Sequence, residues 1–99
     1  MNKIELKFQL RAAIDRGTYF LFIKDDAIDF IKECREENIE ILGIDGFYKI
    51  DKETIQSSIE NSIDFSSPSY TLKTDSIYND AIKFLKEREE ILFFEIVCE

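Results

Sequence analysis

Between Thr18 and Ile44 the hydrophobic period of the chain changes twice, and this constrains the fold more than any other feature. Thr18 to Ile23 is rich in aromatic and β-branched residues and reads as a buried strand. Ala27, Phe30, Ile31 and Cys34 then fall at i, i+3, i+4 and i+7, one apolar helix face. Lys32, Glu33, Arg35, Glu36 and Glu37 occupy the other side. Asp25 or Asp26 is the expected N-cap, and acids in the first turn suit the positive end of the helix dipole. Asn38 can adopt the left-handed conformation that ends a helix, and Ile39 to Ile44 is the next buried run. The expectation is a strand–helix–strand unit; if its strands are parallel neighbours, the crossover is right-handed.

The flanking segments are read from weaker signals. Ile4, Leu6, Phe8 and Leu10 alternate like a strand, while Leu10, Ala13 and Ile14 fit a helix ending at Gly17, so residues 3–16 read as a short strand running into a helical segment. Asp45-Gly46 is the dipeptide of a type I′ hairpin turn. On that reading Gly43 permits close packing or a bulge, the chain turns at Asp45-Gly46, and Phe47 to Ile50 returns as a short strand. All seven serines lie between Ser57 and Ser76. Ile55, Ile59 and Ile63 recur every fourth residue as if on one helical face, which serine and asparagine oppose by bonding locally to backbone. Residues 51–76 therefore read as a serine-rich, partly irregular segment: a partly helical excursion, then a loop around Ser66 to Ser69. Thr74 or Asp75 starts a last helix with Ile77, Ala81, Phe84 and Leu85 inward, supported by Tyr78 and Ile82, and Ile91 to Cys98 reads as a terminal strand. The expected fold is a single α+β or α/β domain over residues 1–99. Two helices pack on a mixed three- to five-stranded sheet, with a β-α-β start and a C-terminal α-β unit.

Ninety-nine residues suffice for one hydrophobic core. The formal net charge is −8, unevenly spread: residues 1–24 carry five bases against two acids, and residues 25–99 carry nineteen acids against eight bases. An acidic surface repels nucleic-acid phosphates and anionic lipid, so the expected partner is a basic protein, with no direct nucleic acid and no membrane. Solubility alone also accounts for acidity. The chain is expected to be cytoplasmic, a monomer or a dimer: the N-terminus has no apolar run suited to a signal peptide, and Tyr19 to Ile23 is far short of a membrane span. No histidine is present, which removes the commonest general base and the triads built on it. The phosphate-cradle and EF-hand motifs are absent too. Cys34 and Cys98, without histidine or a C-x-x-C pair, cannot make the usual zinc site and read as reduced thiols. The chain is read as a non-enzyme with no cofactor.

Candidate contact residues for a partner are Asp45, Phe47, Tyr48, Asp51, Glu53, Asp64 and Tyr70, with Tyr78 as a further aromatic anchor. Glu95, the one acid inside the terminal apolar run, needs solvent or a cation. With Asp45 it can form an acid–base pair only given proximity, a shifted pKa and a cleft. Ala27-Ile28 early in the helix, Ile41-Leu42-Gly43-Ile44-Asp45-Gly46, and Ala81-Ile82 leading to the terminal strand together resemble the immunity proteins of the tRNA-cleaving E-type colicins, over about half the chain. The resemblance implies a cytoplasmic, cofactor-free inhibitor that occupies the RNA groove of a basic ribonuclease domain with acidic groups. The segment through Ile23 and the serine-rich insert depart from that pattern, so only Asp45 is carried over as a contact residue.

Overall fold

A computed structural model describes residues 2–66 and 74–99, with side chains in the second stretch from residue 76. The elements run α1 (Lys3–Phe8), a 3₁₀ turn (Gln9–Arg11), β1 (Ile14–Asp15), β2 (Phe20–Leu21), α2 (Lys24–Glu36), β3 (Ile41–Lys49), β4 (Ile55–Asp64), α3 (Thr74–Lys86) and β5 (Phe93–Cys98). The domain is α+β, as expected. Its ladders are antiparallel: a two-stranded sheet β1-β2 and a three-stranded sheet in the order β4-β3-β5.

The strands flanking α2 are not neighbours. Phe22, just past β2, bridges antiparallel to Phe94 of β5 through a reciprocal pair of 2.8 Å backbone hydrogen bonds. Since β5 is also antiparallel to β3, the β2 segment and β3 run the same way with β5 between them. The β-α-β start is thus split by the C-terminal strand, and the expected mixed sheet is antiparallel instead.

α1 replaces the strand expected at the N-terminus. Asn2 accepts from the Glu5 amide at 2.9 Å as N-cap, in an Asn-x-x-Glu arrangement that satisfies a free first-turn donor. Ile4 and Phe8, four apart, become the buried face; Leu6 and Leu10 are left 60% and 99% exposed. Gly17 ends no helix. At φ 84° it forms the turn of the β1–β2 hairpin, where its amide bonds the Asp15 carboxylate at 2.8 Å.

α2 forms as its periodicity requires. Ala27, Phe30, Ile31 and Cys34 are all essentially inaccessible. Its N-cap is Ile23, with no side-chain cap; Asp25 and Asp26 lie in the first turn and act through the dipole instead. Asn38 takes φ 56°, the left-handed exit. Phe8, Phe22 and Phe30 pack edge-to-face or tilted with ring centroids 5.3–6.4 Å apart and join α1, α2 and the sheet. Tyr78 of α3 belongs to this core and not to an interface: it is buried, and its hydroxyl donates to the Ile39 carbonyl at 2.8 Å. Every fully buried side chain among the described residues is apolar or this tyrosine. The helices cover one face of β4-β3-β5, the face of Ile41, Ile44, Phe94 and Ile96; the other is open beside Asp45 and Phe47, while Glu95 lies next to Glu5 of α1 and Thr18 to Phe20.

Candidate protein-binding face

β3 does not turn at Asp45-Gly46. It runs straight through, so the expected hairpin there and the returning strand at Phe47–Ile50 are both overturned. The reversal comes later, where Asp51 Oδ1 accepts from the amides of Glu53 and Thr54 at 2.9 and 2.8 Å. Gly46 is required for a different reason. A Cβ on it would lie 2.3 Å from the Asn61 carbonyl oxygen, and one on Gly43 would lie 2.9 Å from that of Ile63. Both glycines admit the close backbone of β4.

β4 itself replaces the helical excursion expected from Ile55, Ile59 and Ile63. It pairs with β3 at both ends, Ile63 with Ile44 and Ser58 with Gly46, leaving residues 59–62 opposite Asp45 alone. This wide bulge consumes the serines and asparagine. Ser62 Oγ donates to the Ser58 carbonyl at 2.7 Å and accepts from the Gly46 amide at 3.0 Å, while Asn61 Nδ2 donates to Ser58 Oγ at 2.9 Å. Side-chain-to-backbone bonding, which opposes a helix, holds an irregular strand. Ile59, at the bulge tip, is 90% exposed.

The uncovered face follows from alternation along these strands. Asp45 stands directly opposite Glu95, and Phe47 opposite Phe93, as cross-strand pairs of β3 and β5. Beside them a groove of about 460 Å³ is lined by Asp45, Phe47, Ser57, Ile59, Ser62 and Asp64, among others. A second depression of about 400 Å³ adjoins it and shares Asp45, Ile63 and Asp64. Two carboxylates on facing positions of a sheet repel. Glu95 is pushed above the usual carboxylate range, first by partial burial, then by Asp45 and by Glu5 of α1. Strand register and a raised pKa are therefore present at the Asp45–Glu95 pair, but the grooves adjoin Asp45 alone; Glu95 borders a separate cavity of about 30 Å³ with Glu5 and Tyr19. Asp64 is held below the usual range by Ser66, whose hydroxyl and amide donate to Oδ1 at 2.5 and 2.8 Å.

Of the residues singled out from sequence, the structure gathers Asp45, Phe47 and Asp64 around one groove. Alternation places Tyr48 on the opposite face of β3, within 3.4 Å of Asn61 Nδ2. Asp51 and Glu53 lie in the β3–β4 turn, where the Asp51 carboxylate is occupied by backbone amides and lowered by them, and the Glu53 carbonyl accepts from Arg16 at 2.9 Å. Tyr70 lies outside the described residues. The sequence pattern does not mark Phe93 or Ile59 as contact residues, and it offers Glu95 only as half of an acid pair. The signal for the β5 residues was available: Phe93, Glu95 and Val97 alternate with the buried Phe94 and Ile96.

No helix among the described residues is long and apolar enough to cross a membrane. Compared with known proteins, the chain matches no family model and no curated protein.

Proposed function

We propose that this chain is an immunity-type inhibitor that binds a basic toxin nuclease domain through the uncovered face of β4-β3-β5. The observation that supports this most directly is the Asp45–Glu95 cross-strand pair. Like charges on facing strand positions cost folding stability, so such a pair is best understood as waiting for a cation from outside. No ion pair reaches either carboxylate among the described residues. A lysine or arginine of a partner entering the adjoining groove turns mutual repulsion into two attractions. Phe47 and Ile59 offer apolar contact beside the charge, the mix that interface centres favour. The choice of a nuclease among basic partners rests on the resemblance of residues 41–46.

This reading expects the reading frame immediately upstream of this chain's gene to end in a basic domain, and the test is co-expression with that domain. Rescue from toxicity is expected, and it should be lost or weakened with Asp45→Asn/Glu95→Gln but kept with Glu36→Gln on the solvated side of α2. In purified form the double variant should associate about tenfold more slowly at low salt. Rescue unaffected by the double variant would place the interface elsewhere. Binding without rescue would favour the second reading, a small acidic regulatory domain whose basic partner is not a nuclease.

A further inference from the structure

Asp45 and Phe47 stand two residues apart on β3, so their side chains share the open face. Asp64 of β4 pairs with Gly43, which brings it to the same face, diagonally across from Asp45 and with no side chain opposite it. The groove of about 460 Å³ and the adjoining depression of about 400 Å³ both have Asp45 and Asp64 in their walls, so the two carboxylates stand at the boundary the depressions share. Phe47 lines the first, and Ile59 walls it from the tip of the bulge. What the groove offers a ligand is acceptors. Asp64 Oδ1 takes both bonds from Ser66, and among the described residues no donor reaches its Oδ2 or either oxygen of Asp45. The Ser62 hydroxyl is spent within the bulge, between the Ser58 carbonyl and the Gly46 amide.

The same three residue types meet once more in this molecule, and there they hold a cation. On the helical side Arg11 donates from Nε to Asp26 at 3.0 Å and from Nη2 to Asp29 at 2.7 Å, with its guanidinium carbon 4.7 Å from the centre of the Phe8 ring. Two aspartates and a phenylalanine thus make a seat for a planar, charged fork. The other three arginines of the chain are engaged away from the sheet face: Arg16 with the Glu53 carbonyl, Arg35 with Asn79, and Arg88 with Phe84. Lys49, the next residue of β3 on that face, makes no ion pair among the described residues.

We propose that the groove between β3 and β4 receives an arginine side chain of the basic partner, its guanidinium forked between Asp45 and Asp64 and stacked on Phe47. Such a seat rests on the reading of the open face as an interface with a basic protein, and adds which cation that protein presents. Lysine fits it less well. A compact, strongly hydrated point charge has no plane to lay on the ring and no fork to divide between two acids. Glu95 borders a different cavity and acts here only through its charge.

The experiment titrates the isotope-labelled full chain with two capped tripeptides, one with arginine and one with lysine between glycines. NMR follows the carboxyl signals of Asp45 and Asp64 and the ring signals of Phe47. The arginine peptide should shift all three together and saturably, about threefold more tightly than the lysine peptide. Phe47→Leu should abolish that preference and leave lysine binding unchanged. Asp64→Asn keeps an oxygen for Ser66 and should weaken arginine binding about fivefold. Equal affinity for the two peptides would overturn the proposal, as would a shift at Asp45 without Asp64, or no saturable shift; these wild-type readouts do not depend on any variant folding. Arginine seated as described, without rescue on co-expression, would keep the seat and remove the immunity reading. Rescue lost with Asp45→Asn/Glu95→Gln, but peptides that bind alike, would keep the interface and remove the seat.

Discussion

The two sides of this molecule treat charge in opposite ways. Where α1 packs on α2, three bases of the N-terminal segment meet acids: Lys3 reaches Glu37 at 2.6 Å, Lys7 reaches Glu33 at 2.5 Å, and Arg11 bonds both Asp26 and Asp29. On the open sheet face, Asp45 and Glu95 oppose each other with no such cation among the described residues, and Asp64 lines the groove beside Asp45. A surplus of eight negative charges is therefore not spread evenly. The N-terminal bases neutralise α2, and the deficit is left on the sheet. A net charge distributed over a surface gives solubility, whereas a deficit focused beside a groove selects a cationic ligand.

The strongest way to break this contrast is to deform the sheet while leaving the helices alone. Gly46→Ala places a methyl against the backbone of Asn61, which cannot move aside as a flexible side chain would. The expected loss is about 3 kcal/mol, the upper end of overpacking, read from the midpoint of urea unfolding. Gly43→Ala, with its nearest contact at 2.9 Å, should cost only about 1 kcal/mol. Equal and small losses at both positions would mean that β4 does not approach β3 as described.

These glycines also show why the sequence was only partly legible. The face of α2 could be read because i, i+3, i+4 and i+7 belong to a helix and to nothing else. A spacing of four residues, by contrast, satisfies both the strand period of two and the helix period of 3.6. Ile4 and Phe8 alternate with their neighbours like a strand but form a helix; Ile55, Ile59 and Ile63 are spaced like a helix face but lie in a strand. The deciding features were capping by Asn2 in one case and side-chain bonding by Ser58 and Ser62 in the other. Gly46 failed differently. Its purpose is the approach of Asn61, a contact between strands that no local turn rule contains. Of the candidate face, Asp45 and Phe47 were found from β3 alone, but their partners Glu95 and Phe93 depend on the register of β5.

A smaller effect tests the helical side. Arg11 bonds two carboxylates and lies 4.7 Å over the Phe8 ring, which makes it the best-anchored cation of the N-terminal segment. Arg11→Ala should cost about 1 kcal/mol, and most of that loss should vanish in 1 M salt. Arg11→Lys should recover only part of it, because lysine lacks the planar fork that serves both acids. A loss that persists undiminished at high salt would assign the contribution to packing on Phe8 instead of to charge.

The smallest effect separates Glu95 by sign from the carboxylates that hydrogen bonds hold down. The carboxylates of Glu37, Asp51 and Asp64 are lowered, so what they contribute is present above their ordinary range and is lost on acidification through the lowered values. Glu95 is raised. Between its unfolded and folded values the native state holds the extra proton, so stability falls as pH rises through that window and stays lower above it. Glu95→Gln removes the penalty. It should match the wild type below the ordinary carboxylate range, gain through the window, and be more stable at neutral pH by about 0.5 kcal/mol, allowing for solvent screening. Asp45→Asn should produce part of the same gain by lowering the Glu95 pKa, which an NMR titration of the Glu95 carboxyl can follow directly. Salt should act on the two sides in opposite directions, weakening the α1–α2 pairs and relieving the sheet pair. A stability difference between Glu95→Gln and wild type that stays flat with pH would mean the two carboxylates do not interact. The sheet face would then lose the property that distinguishes it from an ordinary acidic surface.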